Sequence, residues 1–471
     1  MHLSMLTEED IEQIDRASIS ILEDTGVAVY EKESLDVLEG GGACVERSTS
    51  RVKIPEKLVR ESLERLPKKV TLAGRDEARS VTLGAGESHF MNSLQGIRVL
   101  DIDTGMTRPS MLQDVAMFAR LVDYLDKIDI FGVTVVAHDI PGELHYVKEL
   151  ATAVENTGKH IIHGCHGTRM TKGFVKIAEV ASGGSEALAR RPAASSFGCP
   201  VSPLQFDRAN TESMVECAKA SMPYTVLSMA MAGASSPMPL AGTLSVINAE
   251  VLAGATICQL LNPGTPVIYG SVSSIMDMRT GVMALGAPER PVINTAVVEV
   301  AHSYEMPVWV GGMSTDGKKP GEQTMMEKVM TGLPPLLAGA DILFGAALLS
   351  SAVVYSPEQL VIDNEVAGAL DRVRKGTKID SETVALDAIN KAGPGGGFLG
   401  MRQTLDYFKS DVWVPRLIDR NVYENWERIG RPDMRSIARE RARNILDEHS
   451  AKPLEDEQKK EIDMIVKGCS E

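Results

Sequence analysis

A closed (β/α)₈ barrel is the fold class this sequence predicts, on three observations. Between Ser88 and Lys375 a short run of apolar or small residues, a polar turn and a longer segment with helical apolar spacing recur eight times. The strands alternate with helices long enough to serve as right-handed crossovers, which implies parallel pairing. The count is eight, the number at which a parallel sheet closes. An open doubly wound sheet would carry the same alternation, but it has no reason to stop at eight.

The strands are expected at His89–Ser93, Ile130–Val136, His160–Gly164, Ala194–Cys199, Thr225–Met229, Val267–Ser271, Val308–Gly312 and Ile342–Ala346. The helices that follow them are expected near Ser110–Leu125, Gly142–Asn156, Arg169–Ala181, Arg208–Ala220, Val246–Leu261, Arg290–Tyr304, Gly321–Leu337 and Pro357–Lys375. The chain then divides into a helix-rich N-terminal extension over residues 1–84, the barrel over 85–380 and a helical C-terminal segment over 381–471 packed on the barrel. Thr7 to Asp10 reads as a capping sequence that opens the first helix, because a Thr side chain satisfies amides left free there. In such a barrel the chemistry belongs at the C-terminal ends of the strands.

Composition narrows the function. A net charge of −15 and a pI near 5.2 exclude a nucleic-acid surface, which needs a basic face to release counterions. Six scattered cysteines without CxxC pairs or a disulfide framework fit a reducing, cytoplasmic setting. The start MHLSMLTEED already opens a helix, so no N-terminal apolar leader is expected. The longest apolar runs, such as Ile342 to Val354, are broken by Gly and Ser and fall short of a membrane span. Methionine and alanine on the helices suit faces buried between subunits as well as core, and a homo-oligomer is expected.

Three polar or glycine-rich constellations stand out. His160-Ile-Ile-His163-Gly-Cys165-His166 falls on the third strand and its loop, with His163 and Cys165 on one face. They could serve zinc, hydrogen-bond within the barrel, or touch a ligand; zinc would need further ligands that the sequence does not place nearby. Gly311 to Gln323 follows the seventh strand and sets Ser314, Thr315 and Asp316 at its C-terminal end, either as working groups or as a turn with Asp316 capping the next helix. Gly393-Pro-Gly-Gly-Gly-Phe398-Leu-Gly400 lacks the Lys-Ser/Thr ending of a phosphate loop and reads better as a mobile segment carrying Phe398. No GxSxG, HExxH or GxGxxG motif follows a strand, which removes serine hydrolase, zincin and Rossmann readings. Glu299 and Glu327 fall in helices and read as surface or capping groups.

The segments Asn294 to Tyr304, Gly312 to Lys318, Glu322-Gln323, Glu327-Lys328, Ala338 to Ala346 and Gly393 to Leu399 together resemble the trimethylamine methyltransferase family, and the likeness runs over nearly the whole chain. The resemblance implies a (β/α)₈ barrel that moves a methyl group from an amine to the cobalt of a separate corrinoid protein docked over the barrel mouth, so that no cofactor is held tightly by the chain itself. The founding branch carries pyrrolysine; this chain is spelled in the ordinary twenty letters and resembles the branch that lacks it, which includes glycine betaine methyltransferases. A quaternary ammonium already carries its charge and leaves as a neutral tertiary amine without protonation, so the missing residue need not abolish the reaction.

A betaine site must hold a trimethylammonium group against π faces, bind a carboxylate and keep water away. The candidates for the cation are Phe90, Tyr269, Phe344, Tyr355 and Phe398. For the catalytic or orienting polar groups they are Asn92, His163, Ser314 and Asp316, joined by His166 and Gln205 on the substrate. Carnitine, proline betaine or choline could replace glycine betaine in the same reaction. A zinc-dependent barrel methyltransferase and a non-catalytic betaine-binding protein are the alternatives of other classes.

Overall fold

A computed structural model describes residues 2–470. Eight parallel strands close a barrel in sequential order: β1 (His89–Asn92), β2 (Ile130–Gly132), β3 (His160–Ile162), β4 (Ala194–Gly198), β5 (Tyr224–Ser228), β6 (Val267–Ser271), β7 (Val308–Gly311) and β8 (Ile342–Ala346), which returns to pair with β1. The outer ring is α1 (Leu112–Tyr124), α2 (His145–Asn156), α3 (Thr168–Ser182), α4 (Arg208–Lys219), α5 (Leu240–Leu261), α6 (Glu289–Ser303), α7 (Glu322–Leu337) and α8 (Pro357–Lys375). Each expected strand and helix is present, with ends displaced by a few residues. The largest shifts are at β2, which stops at Gly132 rather than Val136, and at α5, which starts six residues early behind Pro239.

Strand periodicity of two divides the side chains cleanly. Met91, Ile130, Ile162, Phe197, Leu227, Ile268, Trp309, Ile342 and Phe344 fill the barrel interior, while the intervening Phe90, Phe131, Ile161, Tyr269, Val308 and Leu343 pack outward under the helices. An antiparallel hairpin of Val70–Leu72 and Val81–Leu83 closes the N-terminal end, with Val70, Leu72 and Leu83 joining the interior cluster. His160 is part of that closure: its Nδ1 lies 3.0 Å from the Ala73 carbonyl and its Nε2 2.8 Å from Ser195 Oγ, and burial lowers its pKa to about 4, so it is neutral.

The first helix, Glu8–Ser20, begins with the expected box, Thr7 Oγ accepting from the Asp10 amide and Asp10 accepting from the Thr7 amide. Ser18 on this helix bonds Ser245 and Asn248 of α5. Helix α5 corrects one expectation. Its 22 residues have a mean hydropathy of 1.6, long and apolar enough for a membrane span, yet 89% of its most apolar stretch is buried between the strands and the N-terminal helices. At the other end of the chain, Met434–Glu448 lies along α8, where Arg435 and Arg439 share the buried carboxylate of Glu358, and Asp456–Ser470 lies on α3.

The strand ends of β7 and β8 are tied by a buried cation. Lys328 Nζ of α7 donates to the carbonyls of Met313 and Gly345 at 2.9 and 3.0 Å and to Asp363 of α8 at 2.8 Å, and neither charged side chain is exposed. Removing one partner leaves the other charge buried alone. Lys328→Met is therefore expected to cost about 3–5 kcal/mol in urea denaturation, with part of the loss recovered in Lys328→Met/Asp363→Leu; a Lys328→Met protein as stable as the parent would contradict this role.

Candidate active site

One apolar cavity of about 320 Å³ opens at the C-terminal ends of the strands. Its walls come from the ends of several strands: Ser93 after β1, Phe197 on β4 and Cys199 just after it, Leu227 on β5 and Met229 just after it, Val272 after β6 and Phe344 on β8. Leu94, Gln95, Met283, Leu285, Leu348, Ser351 and Ala352 from the loops complete it, and half-exposed Met229 marks its rim. Phe197 and Phe344 both stand edge-to-face on Trp309 below, with centroids 5.6 and 5.5 Å apart, which fixes their orientation.

The single charge in this lining is Arg290, at the start of α6. Its side chain is 1% exposed, its Nη1 donates to the Val272 carbonyl at 2.9 Å, and its Nε has no hydrogen-bond partner. Among the described residues no carboxylate lies within ion-pair distance of it. Burial lowers its pKa to about 10, with Asp316 the acid that opposes the shift, so it remains charged at neutral pH. Gly311, an inward-facing position of β7, makes the space: a Cβ there would fall 2.0 Å from Nη2. A buried cation without a counter-ion costs several kcal/mol, and a carboxylate ligand would offset that cost.

Asp316 does not cap a helix. Its two oxygens accept from the Leu285 and Gly286 amides at 2.9 and 3.0 Å and from Ser351 Oγ at 2.7 Å, so it pulls two cavity-lining loops together. Glu327 is buried rather than superficial, and it holds the same turn by accepting from Thr315 Oγ and the Asp316 amide. The loop after β8 carries Ser350, Ser351 and Ala352 at φ values of 52°, 53° and 67°. Three successive non-glycine residues in the left-handed region are strained, and bonds from the Ser350 and Ser351 amides to Gly317 and Thr315 hold them there.

Of the residues singled out from the sequence, Phe344 lines the cavity and the others lie elsewhere. Phe90 and Tyr269 are on outward-facing strand positions, Tyr269 bonding Asn248 of α5. Tyr355 is buried behind the cavity lining, where its hydroxyl meets Ser93 Oγ at 2.7 Å and donates to the Leu94 carbonyl. Asn92 clasps β1 to β2 through Gly132 and Thr134. Ser314 is buried and donates to the Gly312 carbonyl. Gln205 pairs with the N-terminal strand at Ala28, and Phe398 is 43% exposed on the C-terminal segment.

His163 and His166 of the histidine cluster lie outside the barrel interior, against α2. His163 Nε2 lies 3.1 Å from Glu149 Oε2 of α2, off the N–H axis so that the contact is electrostatic, and His145 Nδ1 lies 3.0 Å from Glu149 Oε1. His166 bonds the Tyr146 hydroxyl at 2.7 Å. Cys165 is buried among apolar groups, which raises its thiol to about 12, and no group of three His, Cys, Asp or Glu among the described residues is arranged to hold a metal. The zinc alternative therefore has no ligand set to stand on.

The fold is a (β/α)₈ enzyme barrel with an apolar cavity at its strand ends. The chain belongs to the trimethylamine methyltransferase family, whose model matches residues 1–468, and it is a methyltransferase. It is 34% identical to trimethylamine methyltransferase MttB of Desulfitobacterium hafniense over 96% of this chain and 91% of that one. It is 32% identical to a glycine betaine methyltransferase of the same species, covering 90% and 88% of the two chains. Among solved structures it is similar in fold to MtmB in its hydroxylamine complex, with a TM-score of 0.50 and 12% identity over 93% and 92% of the chains.

Glu149 yields a pH prediction. Burial pushes its carboxyl up, but the contacts with His145 and His163 outweigh that and hold it at about 2 against an ordinary 4.5. A depressed folded-state value means that its stabilisation is complete above about pH 4.5 and is lost as the pH falls towards 2. The stability difference between the parent and Glu149→Gln, measured by urea denaturation, is expected to shrink by about 3 kcal/mol across that window. A difference that stays constant would show that Glu149 is not held ionised by its histidines.

Proposed function

We propose that this methyltransferase takes a methyl group from glycine betaine and passes it to the Co(I) cobamide of a separate corrinoid protein, releasing dimethylglycine. The observation that carries the reading is the buried, unpaired guanidinium of Arg290 in the wall of an otherwise apolar cavity. An amine without an anion would enter the field of a fixed positive charge, and no lining residue is acidic to offset it. A zwitterion fits both halves. Its carboxylate pairs with the Arg290 guanidinium in a charge-assisted hydrogen bond, and its trimethylammonium lies against Phe197 and Phe344, whose π faces attract a cation. The relative named as a glycine betaine methyltransferase supports the same substrate class.

The reaction asks little else of the chain. The reduced cobalt of the partner supplies the nucleophile, and a quaternary ammonium leaves as a neutral tertiary amine, so no side chain has to move a proton. What the residues contribute is position and dryness. The aromatic pair and Arg290 fix both ends of the substrate, and Leu227, Met229, Val272 and Leu348 keep water from its methyl groups. Cobamide belongs to the partner protein, and the strand-end opening of the cavity is the route by which it reaches the methyl.

The test is turnover with a reconstituted Co(I) corrinoid protein, followed by methylcobamide absorbance and release of the demethylated amine. Glycine betaine is expected to react, and carnitine and proline betaine are the carboxylated competitors that decide the substrate within this class. Choline, which lacks the anion, is expected to react poorly. Arg290→Met should raise KM for the betaine by about a hundredfold or more, the range for truncating one member of a buried charge pair. Equal turnover of choline and glycine betaine, or an Arg290→Met enzyme with parental KM, would overturn the assignment.

A further inference from the structure

Gln95, in the loop after β1, lines the cavity in a backbone conformation that does not suit it. Its φ is 54°, in the left-handed region that glycine adopts freely and glutamine only at a cost. The Gln95 amide donates to the Val133 carbonyl at 3.1 Å and the Gly96 amide to the Thr134 carbonyl at 2.9 Å, which pins this turn against the segment leaving β2. The side chain receives no such support. In the same wall Ser93 meets the Tyr355 hydroxyl, Ser351 meets Asp316 and Arg290 donates to Val272, whereas the Gln95 carboxamide has no hydrogen-bond partner among the described residues. Gly164 shows where that carboxamide lies. Two residues beyond inward-facing Ile162, it has the same parity, and a Cβ built there would fall 2.9 Å from Gln95 Nε2 and 3.1 Å from Phe197 Cζ. The carboxamide is therefore in the barrel mouth beside the ring of Phe197, near the ends of β3 and β4. Arg290 enters from another side, between Val272 after β6 and Gly311 of β7.

We infer that Gln95 binds the cationic end of the substrate, its carbonyl oxygen turned to the methyl groups of the ammonium that Phe197 holds. The inference rests on the betaine reading and adds to it the one uncharged polar group that meets the cation. While unbonded, the carboxamide rotates about its terminal torsion and can present its oxygen to the cavity. The carbons attached to a quaternary nitrogen share its positive charge, so an amide oxygen attracts them although they carry no N–H. An amide also suits the reaction better than an acid would. As the methyl passes to cobalt, the electrons of the C–N bond return to nitrogen and the positive charge disappears. A full negative charge beside the nitrogen would therefore stabilise the bound substrate more than the transition state and slow the transfer, whereas a neutral dipole orients the cation with less of that penalty.

Isothermal titration calorimetry of the full chain, with single-turnover rates of methylcobamide formation, tests this. Gln95→Met, similar in length but without the dipole, is expected to weaken glycine betaine and choline alike by about tenfold, with the thermal transition of the barrel in place. Gln95→Glu is expected to bind choline about tenfold more tightly than the parent, because the cation then faces a charge, while the rate of methyl transfer from bound substrate falls. A glutamine with only a structural role would produce neither the gain in affinity nor its separation from the rate. Parental affinities in Gln95→Met, a loss confined to glycine betaine, or a Gln95→Glu protein that binds choline no better than the parent would overturn the inference. With Arg290→Met still impaired, any of these results would leave the substrate class standing.

Discussion

The site depends on a guanidinium kept out of water without an acid beside it. Arg290 lines the cavity, is held by one carbonyl, given room by the absent side chain of Gly311, and left with a buried, unbonded Nε. Proteins ordinarily pair such a charge, because the desolvation it suffers exceeds what a single carbonyl returns. Asp316, the nearest acid to influence it, spends its oxygens on backbone amides and Ser351 instead. An anion would complete the arrangement, which is the basis for proposing a carboxylated quaternary amine as the substrate.

Much of the surrounding polar chemistry fixes the cavity walls rather than touching its contents. Lys328 binds the carbonyls at the ends of β7 and β8, Glu327 and Asp316 fold the loop after β7 onto the loops carrying Leu285 and Ser351, and the Tyr355 hydroxyl supports Ser93. The left-handed run Ser350 to Ala352 shows the consequence. Its strain persists because bonds from the neighbouring loop over-determine it, and it brings Ser351 and Ala352 into the wall. The Trp309 indole beneath Phe197 and Phe344 does the same for the aromatic pair.

The barrel was legible in the sequence because its signal is repeated eight times and each repeat is local: an apolar run, a turn and an amphipathic helix. The site was legible only as a region. Phe90, Tyr269 and His163 are on the correct strands but at the wrong parity, since neighbouring Met91, Ile268 and Ile162 take the inward positions. Parity could have been read from the strands had one inward residue been known, because period two then assigns the rest. Arg290 gave no such signal. It opens an outer helix, where arginines are ordinarily solvated, and only the fold reveals that Gly311 of β7 lets its head reach the interior. Asp316 was noticed for its place at a strand end, but its partners Leu285 and Ser351 are far from it in sequence, and no local pattern announces them.

A crystal structure of the protein with glycine betaine would test the central claim most directly. The account predicts the carboxylate within about 3 Å of the Arg290 guanidinium, as expected for a charge-assisted hydrogen bond, and the methyl groups between Phe197 and Phe344 facing the opening. Betaine bound with its ammonium end towards Arg290, or outside the cavity with the guanidinium still without an acid, would contradict it.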